Sequence, residues 1–335
     1  MQTLRTETVY EMSPPPGPVP DGPEPDAPRR RWRDRWRGRV APFRTREATA
    51  GYLFLSPWLV GFFVFGLYPI GMSLYYSLCR YDVLRVPQFI GLDNYAALLG
   101  SDPYFGLAVW NTLVYTVLRT PLAILGSLLL AVLINQSVRG VKFFRTAYFL
   151  PSIVTGVVLS VIWLWLFNPS VGLVNQMLGW VGIEGPLWLQ SPDWSKPALV
   201  LMGLWSIGGA RMIVFLAALQ GIPDQLYEAV AIDGGGAWAK FRHVTVPMLS
   251  PVIFLWTVLE VIFSFQVFTE AYVMTQGGPL NSTLFYNLYL YYKAFDDFEM
   301  GYASAMAWIL FVLTLAVTAV QFRLGSRWVH YEGGA

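Results

Sequence analysis

The sequence has little charge. Asp, Glu, Lys and Arg make up 13% of its 335 residues, where an ordinary soluble domain carries roughly 25%. Hydrophobic residues make up 55%, aromatic residues 16%, and the mean hydropathy is +0.46. The deficit is uneven: charges gather before residue 47 and then come in small clusters between uncharged runs. That distribution argues against a soluble protein with a large core and indicates a polytopic membrane protein. Cysteine is nearly absent. Cys79 is the single one, so no intramolecular disulfide is possible and no cysteine metal site is expected. The only histidines, His243 and His330, are far apart in basic surroundings, so no metal pair is expected. No GxxxxGK[ST] occurs, nor GxGxxG after a strand, HExxH or GxSxG. The chain is therefore expected to have no nucleotide site, no cofactor and no catalytic residues. Met1 to Asp26 is polar and proline-rich, so no cleavable signal peptide is expected there.

What is present begins with a tail. Residues 1–28 carry Pro14, Pro15, Pro16, Pro18, Pro20, Pro23, Pro25 and Pro28 with almost no aliphatics, a composition that cannot bury a core. Arg29 to Arg46 holds nine arginines, with Trp32 and Trp36 among them. Such a segment suits an anionic membrane surface, or nucleic acid. It abuts an apolar run, which favours the membrane, sets the N-terminus in the cytoplasm and leaves no nucleic-acid partner expected.

The apolar runs predict an all-α polytopic membrane protein with six transmembrane helices, at about 51–79, 106–134, 151–167, 198–220, 252–275 and 301–322. The tail, 1–46, precedes a transmembrane domain over 47–328, and 329–335 is a second cytoplasmic tail. Asn168-Pro169-Ser170 ends the third run, so 171–197 reads as a surface segment with an interfacial helix near Leu173 to Val181. Six spans put both termini inside, and the basic residues of 1–46, 135–145 and the C-terminus agree.

One hydrophilic interruption looks folded. Gly221 to Pro251 opens on Ile-Pro, runs through an amphipathic segment and breaks at Gly234, Gly235 and Gly236. It restarts at Ala237 and stops at Pro247. That is the pattern of two short helices joined by a sharp turn. Counting spans places it on the cytoplasmic side.

Charges inside spans are the other candidates. Arg119, Arg211, Glu260 and Glu270 would each cost several kcal/mol facing lipid. They line or gate a solute pathway, or they form salt bridges between helices. Asn111, Trp163, Trp205 and Gln266 set amides beside aromatic faces, which suits a sugar. Tryptophans that face lipid or the membrane interface would leave the same pattern.

Glu228-Ala229, then Gly234, then Val244-Thr245-Val246-Pro247 resembles the EAA motif, written EAA, three residues, G, nine residues, I-x-L-P. Val230 replaces its second alanine, and Val244 and Val246 replace Ile and Leu. The motif belongs to membrane subunits of binding-protein-dependent ABC importers. Gly277-Gly278-Pro279, Thr283, Ala294-Phe295 and Met300-Gly301-Tyr302-Ala303 look like the carbohydrate branch, with its maltose-type and glycerol-phosphate-type permeases. The resemblance covers about residues 50–325 in consistent order. Arg211 stands where that branch more often has an uncharged residue.

The resemblance implies a type I importer-like fold and a permease subunit, in a bacterial or archaeal plasma membrane, for a carbohydrate or polyol. It implies two ABC ATPase subunits, a second permease subunit and an extracytoplasmic solute-binding protein as partners. An importer for a non-sugar solute, or a non-transport membrane scaffold, is the alternative. Within the loop the resemblance implies a coupling helix, Pro223 to Ile232. Leu226, Tyr227 and Val230 on or beside one face suit a groove in an ATPase, and Glu228 could pair with a basic residue there. Tyr227, Glu228, Ala229, Asp233, Gly234 and Pro247 are the expected coupling residues.

Overall fold

The computed structural model describes residues 48–136 and 140–329. The expectations for the proline- and arginine-rich tail, for 137–139 within the basic 135–145 loop and for His330 lie outside them. The chain divides into two compact units, Met1–Tyr68 and Pro69–Ala335. The described part of the first is one uncharged helical stretch, which belongs to helix α1, Ala48–Ser77.

The second unit is built on one long helix. Asp102 starts it: its side chain accepts the backbone N–H groups of Tyr104 and Phe105, at 2.9 and 3.2 Å. Pro103 occupies the first turn, where its missing N–H costs nothing. The helix, α2 here, is Pro103–Asn135 and runs unbroken through Arg119, Thr120 and Pro121. Its 33 residues make about 50 Å at the usual rise, more than the roughly 30 Å of a hydrocarbon core. A short helix, Asp93–Gly100, and a two-residue strand pair, Cys79–Arg80 with Gln88–Phe89, precede it.

The apolar runs that follow are more broken than their hydropathy suggests. Helix α3, Val141–Phe149, passes through a tight turn at Leu150–Ile153 and bends by 99° into α4, Gly156–Leu166. Pro151, which lacks an N–H, sits in that turn. The expected interfacial helix is Leu173–Trp180. The expected span over 198–220 is two helices, α5, Pro192–Leu204, and α6, Ala210–Gln220.

That break is supported from outside. Ser127 of α2 donates to the Ile207 carbonyl at 2.8 Å, satisfying an acceptor the missing helical turn frees. At Gly208 the backbone packs so closely on the Tyr148 carbonyl that a Cβ would collide with it. Among the described residues four helices are long and apolar enough to cross a membrane: Ala48–Ser77, Pro103–Asn135, Ser250–Met274 and Met300–Gly325. The bent α3–α4 pair would make a fifth.

After α6 come α7, Asp224–Ile232, and α8, Ala237–Lys240. The expected stop at Pro247 is not there. A π-helical turn, Phe241–Thr245, leads into Val246–Met248 and on to α9, Ser250–Phe265. The wide turn closes through Val246 N–H to the Phe241 carbonyl, just ahead of the residue that cannot donate. The same turn, Phe63–Leu67, precedes Pro69. Thr269–Met274 continues the line of α9 after a short irregular stretch. Tyr286–Tyr291 and α10, Met300–Gly325, complete the described chain.

Helix α2 packs on α5, α6 and α9. Two apolar clusters result. One gathers Tyr115 and Leu159 with Trp163, Phe167, Phe285 and Met306. The other joins the C-terminal half of α2 to Phe215, Leu216, Leu249 and Val244.

Candidate functional site

The loop after α6 begins as its sequence dictates. Pro223 is extended, and Asp224 lies in the first turn of α7, where a carboxylate complements the helix dipole. The helix ends on Gly234, whose φ of +80° is reached at little cost only without a Cβ. Gly234 N–H donates to Ala231 and Gly235 N–H to Val230, at 3.1 and 2.8 Å, so the last carbonyls are partnered.

No side chain of α7 is buried, but the helix has two faces. Tyr227 and Val230 turn inward onto the cluster of Phe215, Leu216 and Val244. The Tyr227 hydroxyl meets Thr245 Oγ1 at 3.1 Å. They were expected on or beside the partner-facing surface with Leu226; the structure uses them to fasten the loop to its own bundle. Leu226, Glu228, Ala229, Ile232, Asp233 and Gly234 face outward. Ile232 is 86% exposed, and Trp238 of α8 is 70% exposed. Trp238, Phe241, Arg242, His243 and Val246 line a recess of about 370 Å³. Pro247 is half-buried, inside the helical run.

The charges expected within spans divide into two groups. Glu260 of α9 takes an arginine on each oxygen: Arg119 Nε at 3.1 Å from Oε1 and Arg211 Nη2 at 2.8 Å from Oε2. Glu260 is 1% exposed, while Arg119 and Arg211 keep 17% and 15% of their side-chain surface. Arg119 also donates from Nη1 to the Tyr115 hydroxyl at 2.9 Å. Arg119 lies 5.6 Å from the Tyr115 ring centroid, and Arg211 lies 5.6 Å from that of Trp256. Sequence reading missed both aromatic partners. Each stands four residues before a charged member of the triad on its own helix, so helical spacing could have found them. Glu270 is half-buried outside the triad.

The polar and aromatic candidates do not converge. Asn111 is buried and donates to the Asn281 and Leu284 carbonyls, at 2.8 and 3.1 Å. Its amide holds the 276–299 loop. Trp163 is buried in the core against Phe167, its ring centroid 4.8 Å away. Its other ring neighbour is Trp205, edge-on at 5.8 Å, which is exposed in the α5–α6 break. Gln266 is exposed, and its backbone carbonyl accepts from Asn287 at 3.1 Å.

Sequence reading also missed a latch. Tyr289 and Tyr302 both donate to Asp102 Oδ2, at 2.6 and 2.5 Å. Burial pushes the Asp102 carboxyl up. The hydrogen bonds from Tyr289 and Tyr302, and from the N–H groups of Tyr104 and Phe105, outweigh it and hold the carboxyl below its usual range. Among the described residues no three His, Cys, Asp or Glu side chains converge as a metal site.

The whole-chain likeness gives these features a setting. Residues 108–330 match the family described as "Binding-protein-dependent transport system inner membrane component". A probable ABC transporter permease, YesP of Bacillus subtilis, is 38% identical over 291 residues, covering 86% of this chain and 94% of that protein. The sn-glycerol-3-phosphate transport system permease UgpA of Pectobacterium atrosepticum is 32% identical over 291 residues, 86% of this chain and 97% of its own length. The lactose transport system permease LacF of Rhizobium radiobacter is 36% identical over 278 residues, 81% of this chain and 92% of its own length. A chain in the crystal structure of a bacterial alginate ABC transporter shares the fold. Its TM-score is 0.73 at 24% identity, over 84% of this chain and 96% of that one. The chain belongs to the family of binding-protein-dependent transport system inner membrane components.

Proposed function

We propose that this chain is the membrane-spanning permease subunit of an ATP-driven importer for a carbohydrate delivered by an extracytoplasmic solute-binding protein. A second permease subunit and two ABC ATPase subunits complete the assembly. The transmembrane domain is 47–328, the termini and the 221–251 loop are cytoplasmic, and the membrane is the plasma membrane of a bacterium or archaeon. Relatives named for sn-glycerol-3-phosphate and lactose support the carbohydrate class. A further relative, 33% identical, is named for sulfoquinovosyl glycerol.

The observation that carries the coupling role is the outward face of α7 and α8. A helix of 9 residues with no buried side chain is too short to hold itself in water. Tyr227 and Val230 fasten it, and that leaves Leu226, Ile232 and Trp238 as apolar surface for a partner. An apolar helix face of this size suits a groove in another protein. Closure of two ATPases on ATP would push the loop, and α9, which continues from it, would carry the movement to the Glu260 triad.

The test is purification through a tag on this chain from its native membrane. An ABC ATPase should accompany it, and liposomes holding the complex should take up labelled sugar only with ATP inside. A complex without an ATPase, or uptake indifferent to ATP, sinks the reading. Single cysteines at 224–226 and 231–233 should label from the cytoplasmic side alone.

A further inference from the structure

The triad carries more positive charge than it uses. Two guanidinium groups share one carboxylate, leaving an excess of one positive charge among side chains that are at least four-fifths buried. Glu260 meets one arginine through each oxygen, and Oε1 is otherwise without a hydrogen bond. Glu270 is half-buried and forms no ion pair with Arg119 or Arg211. Arg211 meets Glu260 through Nη2. Its Nε and Nη1 are buried and have no hydrogen-bond partner among the described residues. Donors on a charged fork that lack acceptors await an oxyanion.

The surroundings say what the oxyanion is attached to. Arg211 stands in the first turn of α6, directly after the break between α5 and α6. Trp205, within that break, is exposed and packs edge-on against Trp163. An exposed indole packs on the C–H face of a sugar ring. A guanidinium grips a carboxylate, phosphate or sulfonate through two parallel hydrogen bonds.

We infer that Arg211, six residues after the exposed Trp205, forms a subsite for the acidic group of an anionic carbohydrate, so that acidic sugars are taken up in preference to neutral ones. This rests on the importer reading above. The shared chemistry is one oxyanion on a sugar or polyol, and its source is for the experiment to identify.

The geometry supplies a clean variant. Arg211→Gln leaves Glu260 paired with Arg119, so it creates no orphaned charge in the core. Glu260 Oε2 loses a partner, so a lower melting temperature is expected and is measured beside uptake.

The test uses the full complex with its binding protein in liposomes. The probes are labelled digalacturonate, sn-glycerol-3-phosphate and sulfoquinovosyl glycerol as the three oxyanion sources, with lactose as the neutral control. The wild type should take up one or more of the acidic probes, and the one taken up names the oxyanion. Arg211→Gln should lower that uptake at least tenfold. The ATPase and the second permease that co-purify should stay within error in amount, and Arg211→Lys should restore part of the uptake. Uptake of lactose alone by the wild type overturns the subsite and leaves the importer reading standing. So does Arg211→Gln uptake equal to wild type. Loss of the second permease from the Arg211→Gln complex also overturns it, by assigning Arg211 to a subunit contact. If no probe of either class enters although ATP is hydrolysed, the carbohydrate reading falls and the subsite falls with it.

Discussion

Two hydrophilic stretches interrupt the apolar sequence, 221–249 and 276–299, and the structure treats them in opposite ways. The second is folded into the core. Leu284, Phe285, Tyr286 and Leu288 are buried. Asn111 holds the carbonyls of Asn281 and Leu284, Thr112 accepts the Tyr286 N–H at 2.9 Å, and the Tyr286 hydroxyl donates to the Met306 carbonyl at 2.7 Å. Gln276, Leu280 and Asn281 have positive φ, a conformation that costs non-glycine residues about 1–2 kcal/mol each and persists where the surroundings enforce it. The first stretch has polar bonds mostly to itself, and it turns Ile232 and Trp238 to solvent. A loop whose groups the core satisfies is structure; a loop held at its base with apolar side chains outward is the surface proposed for a partner.

The largest expected effect lies in the exposed loop. Gly234→Val places a β-branched residue at a φ of +80°, which should end ATP-dependent uptake while the protein remains in the membrane at its usual level. Normal uptake by this variant would erase the distinction between the loops. Next is Asn111→Ala, which orphans the buried Leu284 carbonyl and frees that of exposed Asn281. It should lower stability by about 2 kcal/mol, measured as a fall in melting temperature in detergent. An unchanged melting temperature would show that the 276–299 loop does not depend on this clamp.

A smaller effect belongs to Asp102. Its carboxyl is held low in the folded protein, so the stability it contributes is present above the unfolded value near 4 and fades as pH falls through the folded value. Protease cutting within 276–299 should therefore rise below about pH 4, and Asp102→Asn should flatten that rise. An equally steep rise in the variant would assign acid lability elsewhere. The smallest effect on stability is expected for Ile232→Ser, within about 0.5 kcal/mol. The same substitution should weaken ATPase retention during purification at least tenfold. A large loss of stability with normal retention would invert the roles of the two loops.

Legibility followed the range of the interactions. The bounds of α7 come from neighbours in sequence, Pro223, Asp224 and Gly234, and the expected helix at 223–232 is Asp224–Ile232. The expected face of that helix was divided, because spacing alone does not say which side meets the bundle. Tyr227 turned inward to reach Thr245. The span at 198–220 looked continuous by hydropathy; Ser127 and the Tyr148 carbonyl, both distant in sequence, sustain its break. Asn111 and Trp163 read as polar and aromatic groups open to a solute, and burial made one a clamp and the other core.

Composition and spacing by themselves determined that this chain lives in a membrane, that it carries the motif of its family, and that the 221–251 stretch is a helix pair with a glycine hinge. These follow from hydropathy and local backbone chemistry, which the sequence states directly. Only the tertiary structure decided which charges meet. Arg119, Arg211 and Glu260 come from three separate helices, and nothing local to any one of them says that a single carboxylate would be shared between two arginines. Packing of α2, α6 and α9 made that choice, and with it left the guanidinium of Arg211 with donors still to fill.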